Sequence, residues 1–246
     1  MSSDIGRQFM EKTYHSQLGP SDQQRGAPPP PPIDPPDATL PRVELPPPEQ
    51  AAPGPLDFLA LVNGRTSCRR YSRAPLSLAE LSFLLWCTQG IKGIEQGFVT
   101  LRTVPSAGAR HAFETLLLVN RVEGLEPGLY GYDAAKHRLA RYESHQSLAD
   151  AVVRAGYGQD FLRTAAVTFL WVAVPYRMTW RYGQRGYRYL HLDAGHVGQN
   201  LYLAAEAIGC GACAVGAFDD EALGAFLGLD GQNQLIIYLA AVGKRP

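Results

Sequence analysis

Three side chains able to grip a phosphate, Arg65, Ser67 and Arg69, occupy alternate positions in Asn63-Gly-Arg-Thr-Ser-Cys-Arg-Arg-Tyr71, and a basic pair, Lys244-Arg245, stands near the end of the chain. In an extended segment, residues two apart share a face and each residue advances about 3.3 Å, so the three span roughly 13 Å. A phosphomonoester carries about two negative charges near neutral pH, and guanidinium forks flanking a hydroxyl match its oxygens. With Arg65 and Ser67 on the phosphate, Arg69 falls further along, where a cation would stabilise charge developing on a reduced ring. The spacing suits a mononucleotide; a solvated surface run would carry the same residues.

Other candidate chemistry is sparser. Thr103-Val-Pro-Ser-Ala-Gly-Ala-Arg-His111 reads as a turn whose small residues Ala107, Gly108 and Ala109 let backbone approach a flat surface, or as an ordinary loop. Cys210-Gly-Ala-Cys213 has C-x-x-C spacing but follows a helical pattern and leads into an apolar run. Buried thiols are therefore expected ahead of a redox dithiol or a metal pair. His191 and His196 are five apart on a helix, about 140° around it, so they do not chelate; core or interface histidines are expected. Tyr176 to His191 alternates Arg177, Arg181, Arg185 and Arg188 with aromatics. The stretch reads as an aromatic-lined cover over a ligand pocket, or as a surface helix; it lacks the partner motif of an RNA-binding strand. No G-x-G-x-x-G after a strand, Walker loop or H-E-x-x-H occurs.

These residues must be positioned by a core, and the composition supplies one. Apolar residues make up 46% of the chain, while 23 basic and 23 acidic side chains balance, so no whole-chain charge calls for nucleic acid. No apolar run approaches the roughly 20 residues of a membrane span, and the start lacks a secretory pattern, so a cytoplasmic protein is expected. Fourteen of the nineteen prolines lie between Pro20 and Pro55. Residues 1–55 therefore read as an extended arm, either a disordered linker or SH3-type ligand, or a strap around the folded domain or its dimer mate.

From residue 56 the pattern turns globular. The spacing predicts a short helix over Leu56–Val62, and a second opening at Ser77 with Glu80 completing a capping box and Gly90 stopping it. Strands are predicted at 115–120, 129–132 and 165–174, and a central helix along Leu190, Ala194, Val197, Leu201, Ala204 and Ile208, thinned by Gly195 and Gly198. Strands at 213–217 and 235–242 flank a helix capped by Asp219. The irregular alternation argues for an α+β fold.

Several separated segments together resemble the FMN-dependent nitroreductase superfamily, more closely its SagB-type dehydrogenase branch. They are Arg65-Thr-Ser-Cys-Arg-Arg-Tyr71 with Pro75-Leu-Ser77, Leu85-Trp-Cys-Thr-Gln-Gly90, Arg102-Thr-Val-Pro-Ser-Ala-Gly108, Gly124-Leu-Glu-Pro-Gly-Leu-Tyr130, Arg181-Tyr-Gly-Gln-Arg-Gly-Tyr-Arg-Tyr189, Asp193-Ala-Gly-His-Val-Gly-Gln-Asn200 and Gly211-Ala-Cys-Ala-Val-Gly-Ala-Phe218. The resemblance implies a nitroreductase-like fold, with a central mixed or antiparallel sheet flanked by helices, in an intertwined homodimer with FMN at the subunit interface. Arg65, Ser67, Lys244 and Arg245 would contact phosphate and ribityl, and Arg69 the N1/O2 edge of the ring. Pro105, Ser106, Ala107 and Gly108 would reach it from the other subunit, and backbone at Gly211, Ala212 and Cys213 would face N5.

Two positions depart from the pattern. Ala109 stands where classical nitroreductases carry Asn, and Arg181-Tyr182 stands where azoline-oxidising members carry Lys-Tyr. Arginine stays protonated and is a poor base, which leaves Tyr182 as the acid-base candidate beside Arg181. The implied activity is dehydrogenation of a carbon–nitrogen bond, azoline to azole in type, in a peptide or small natural product. The alternatives are NAD(P)H-dependent reduction of nitroaromatics or quinones, and a non-catalytic partner subunit in a biosynthetic complex.

Overall fold

A computed structural model of the chain describes residues 4–142 and 148–246, so the first three residues of the arm lie outside it. The arm opens with α1 (Ile5–Lys12) and, beyond the proline run, supplies a short strand, β1 (Arg42–Glu44). Helix α2 (Phe58–Gly64) starts two residues later than the pattern predicts, because the Asp57 carboxylate accepts the backbone N–H groups of Leu59 and Ala60 and fixes the start there. Helix α3 (Leu78–Gln89) has the expected reciprocal cap between Ser77 and Glu80. Its stop at Gly90 needs no left-handed turn, since φ is −56° there. Glycine is required for space instead: a Cβ would sit 2.5 Å from the Trp86 ring.

A hairpin, β2 (Ile91–Glu95) and β3 (Val99–Arg102), follows and forms its own two-stranded sheet. The main sheet takes β4 (Phe113–Val119), β5 (Gly128–Asp133) and β6 (Arg138–Arg141), then, after α4 (Leu148–Ala155) and α5 (Phe161–Thr164), β7 (Val167–Ala173). Two consecutive helices, α6 (Pro175–Tyr182) and α7 (Gly186–Ala207), precede β8 (Cys210–Val215), α8 (Asp220–Phe226) and β9 (Leu235–Lys244). The seven strands run in the order β1-β6-β5-β4-β7-β9-β8 with every neighbour antiparallel. This is the α+β architecture expected, a central antiparallel sheet flanked by helices. Strand β8 starts three residues before its predicted position, so the two thiols of Cys210-Gly-Ala-Cys213 lie on a strand, where residues three apart point to opposite faces. Both are buried and unpaired.

Every residue of β7 is buried, because apolar layers cover both faces of the sheet. One layer holds α3 and α7, whose Leu81, Leu85, Leu190, Val197 and Leu201 pack with Phe169 and Trp171. The other holds α4, α5 and α8, whose Val152, Leu162 and Leu223 pack with Leu170 and Val172. Gly198 lets the α7 backbone settle against Tyr238, whose ring would lie 2.9 Å from a Cβ; Gly195 meets nothing and faces outward. His191 and His196 are exposed on α7, not in the core. Among the described residues no helix is long and apolar enough to cross a membrane.

Candidate functional site

The opening basic segment lies along the edge of the main sheet. Ser67 bridges in parallel to Ala212, and the Cys68 N–H donates to the Ala212 carbonyl at 2.8 Å. The Ser72 N–H donates to Lys244 O at 2.9 Å, while β8 and β9 pair Cys210 with Lys244 and Gly211 with Gly243. Residues 65–72, 210–213 and 244–245, far apart in sequence, thus come together at one corner of the fold. Gly211 permits that approach, since a Cβ would lie 2.5 Å from the Cys68 Cβ.

Tyr202 of α7, a residue without a role in the sequence reading, organises this corner. Its hydroxyl is 3.1 Å from Ser67 Oγ and accepts the Ala214 N–H at 2.8 Å, while the Arg65 guanidinium lies over its ring at 5.3 Å. Its signal was present, a tyrosine one residue after the buried Leu201 of the helical stripe, but only the folded chain shows what it faces. Among the described residues, neither Arg65 nor Arg69 has a carboxylate partner. The closing pair differs: Lys244 is held by Glu80 and Arg245 by Glu206, and Arg245 Nε also donates to Cys210 O at 3.3 Å. Burial pushes both thiol pKa values up, that of Cys210 to about 11, so both are neutral near pH 7.

A second cluster surrounds the small-residue loop. The Ala107 N–H donates to Asp193 Oδ1 at 3.2 Å and the His111 N–H to Ser106 Oγ at 2.9 Å. Burial raises the Asp193 carboxyl above its ordinary range, against the loop's hydrogen bonds. Gly108, Ala109 and His111 have φ of 57°, 53° and 42°, three left-handed positions in four residues. At Gly108 a Cβ would lie 2.4 Å from the Tyr182 hydroxyl and 3.0 Å from Arg181 Nε, so the loop and the Arg181-Tyr182 pair are in direct contact. Pro105 leads into this turn.

The segment 176–191 runs along α6 and into α7, exposed at Tyr176, Arg181 and His191 and buried at Arg177 and Trp180. Arg177 is 1% exposed, with Nη2 at 2.6 Å from Glu114 Oε1 and 3.1 Å from Asp34 Oδ2, and Trp180 is buried. The pattern of alternating charge concealed this because the partners lie far away in sequence.

The two clusters do not face each other within one chain. Asp193 and Tyr202 are nine residues apart on α7, which is about 13 Å along the axis and half a turn around it. On the surface of α7, Asp193 and Tyr202 therefore point to opposite sides.

A model of the nitroreductase family matches residues 62–244 of the chain. Over 182 residues the chain is 36% identical to "Putative nitroreductase MJ1384" of Methanocaldococcus jannaschii, covering 74% of this chain and 87% of that protein. Over 112 residues it is 32% identical to the trifolitoxin-processing protein TfxB of Rhizobium leguminosarum bv. trifolii, covering 44% of this chain and 30% of TfxB. A crystal structure of a putative nitroreductase from Anabaena variabilis superposes with a TM-score of 0.68 at 27% identity, over 85% of this chain and 42% of that one, so the chain spans less than half its length. A chain of the E. coli microcin synthetase McbBCD complex shares the fold, with a TM-score of 0.60 at 20% identity over 78% of this chain and 75% of its own.

Proposed function

We propose, from the premise that this chain belongs to the nitroreductase family and is an oxidoreductase, that it binds FMN in a site built by two copies and dehydrogenates a carbon–nitrogen bond, azoline to azole in type, in a peptide or small natural product. The observation that carries the reading is the placement of an unneutralised phosphate-type donor set and a strained small-residue loop on opposite sides of α7. A second copy brings the loop of one chain to the basic corner of the other. The surfaces left apolar in a single chain agree: Phe58, Leu59 and Val62 of α2 and Leu192 of α7 are all exposed, Leu192 by 55%.

The donor set fits FMN. Arg65 and Ser67 would hold the phosphate, Arg69 would lie along the ring side, and the Gly211–Cys213 backbone would lie beside it. Lys244 and Arg245 carry carboxylate partners of their own and would shape the corner through Glu80 and Glu206, exchanging them for phosphate only if those pairs open. Bound flavin supplies the hydride-transfer chemistry. Tyr182 would hold or move the substrate proton, and its contact with Gly108 fixes it at the loop.

The SagB-type assignment draws support from the similarity to TfxB, named for trifolitoxin processing, and from the shared fold with the microcin synthetase chain. The relative named as a nitroreductase favours the second reading, NAD(P)H-dependent reduction of nitroaromatics or quinones. The absorption spectrum of the purified chain tests the cofactor: bands near about 370 and 450 nm that bleach with dithionite are expected, and a colourless chain that takes up no FMN contradicts it. Rapid steady-state oxidation of NADH with a quinone acceptor would favour the second reading over the first.

A further inference from the structure

The arginines of α6 and the start of α7 divide by what they hold. Arg177 Nε donates to Pro31 O at 2.9 Å, Arg185 Nη1 to Thr13 O at 2.8 Å, and Arg188 Nη2 to Met10 O at 2.7 Å. Trp180 joins them, donating from Nε1 to Ala27 O at 3.0 Å and accepting the Gln23 N–H at its carbonyl at 2.9 Å. Three arginines therefore fasten the arm to the globular part through its backbone carbonyls. Arg181 is the exception: among the described residues it has neither a carbonyl nor a carboxylate partner, and its side chain lies over the Tyr182 ring at 5.6 Å and against Gly108.

Arg181 and Tyr182 open instead into a cavity of about 500 Å³ whose remaining walls come from the arm: His15, Leu18, Gly19, Pro20, Ser21 and Gln24. That volume suits a small-molecule or peptide side-chain site. The arm wall is ordered by its own bonds, with the Ser21 N–H donating to Gln24 Oε1 at 2.8 Å, which leaves the Gln24 amide NH2 available. Among the described residues no Asp or Glu lines the cavity, and the neighbouring Asp22 is turned to Arg25 at 3.5 Å. The lining thus offers a guanidinium, an amide NH2, a phenol and an imidazole, with no fixed negative charge.

We infer that arm residues His15 to Gln24 form a wall of the substrate pocket and that Arg181 with Gln24 binds a carboxylate of the substrate. The inference rests on the reading of the Gly108–Tyr182 contact as part of the flavin site. It replaces the role of a proton-removing lysine at position 181 with that of an anion anchor, which a permanently charged planar fork performs well. The substrates selected are azolines bearing a free carboxylate.

The test uses the full chain with its FMN and two probes, 2-phenyl-2-thiazoline-4-carboxylic acid and its methyl ester, titrated by calorimetry. The acid is expected to bind about ten-fold more tightly than the ester. Arg181→Gln should bring the two within about two-fold of each other, and Gln24→Ala should remove part of the preference, both with unchanged flavin absorbance per chain. Equal binding of acid and ester by the unsubstituted chain, binding of neither, or an undiminished preference in Arg181→Gln overturns the inference. So does displacement of the acid by NADPH whose own affinity falls in Arg181→Gln, which assigns the anion to a dinucleotide. Because calorimetry reads binding without colour, a colourless chain that still prefers the acid tells against the FMN reading alone.

Discussion

The basic corner and the small-residue loop, the two halves of the proposed flavin site, are held in shape by opposite means. The corner is set by sheet register: pairing of β8 with β9, plus the parallel bridge from Ser67 to Ala212, puts three distant segments in contact without left-handed backbone. The loop has no strand partner at its tip and holds three left-handed residues. It is kept in shape from outside, by Asp193 below and by Arg181 and Tyr182 above, on a helix that the arm straps down. The corner should therefore tolerate loss of single side chains as changes in ligand affinity. The loop should respond to distant changes in its supports with changes in stability.

The strongest break of that contrast is Arg177→Met. It removes the cation paired with the largely buried Glu114 carboxylate, leaving it the Asp34 N–H, and releases the arm at Pro31, and is expected to cost about 3 kcal/mol, read by chemical denaturation. A drop comparable to a surface substitution would show that the strap bears no load. Arg65→Ala, at the corner, should instead leave the melt of the flavin-free chain nearly unchanged and weaken FMN retention by about 1.5–3 kcal/mol, measured as flavin per chain after dialysis.

Acid should find the loop before the corner. Burial, then the neighbouring Arg102 and Arg110, push His111 down to about 3, whereas its ordinary pKa is 6.5. The folded state therefore binds fewer protons than the unfolded one. Stability from this group is present above pH 6.5 and is lost as pH falls from there toward 3, by about 2 kcal/mol between pH 7 and pH 5. Melting curves across that range should fall in the unsubstituted chain and flatten in His111→Gln; equal slopes would remove His111 from the account. The smallest expected effect is Tyr202→Phe, which removes the hydroxyl shared by Ser67 and Ala214 and should weaken FMN by about 0.5–1.5 kcal/mol, checked by the same dialysis assay.

What could be read from the chain follows the same division. The α3 cap, the central helix α7 and the strands β4, β5 and β7 announce themselves through local spacing, because each is decided by neighbours within a few residues. The hairpin β2–β3 was missed although Gln96-Gly97, both with positive φ, marks its turn; its strands are short and only partly apolar. β1 hides among prolines because an edge strand of three residues needs few donors. At the corner, Arg65, Ser67 and Gly211–Cys213 were legible as a set, but the engagement of Lys244 by Glu80 and of Arg245 by Glu206 is a tertiary fact that no spacing contains. The same holds for Arg177, whose partners lie 63 and 143 positions away in the chain.

Subunit complementation tests the two-copy site most directly. Arg65→Ala disables the corner and Gly108→Val the loop, so each chain alone should purify nearly free of flavin. Mixed and refolded or co-expressed together, half the dimers would pair one of each, and one of the two sites in such a dimer has both halves intact, restoring flavin to about a quarter of all sites. A mixture as colourless as its components, or a Gly108→Val chain that keeps its full flavin alone, would contradict the shared site.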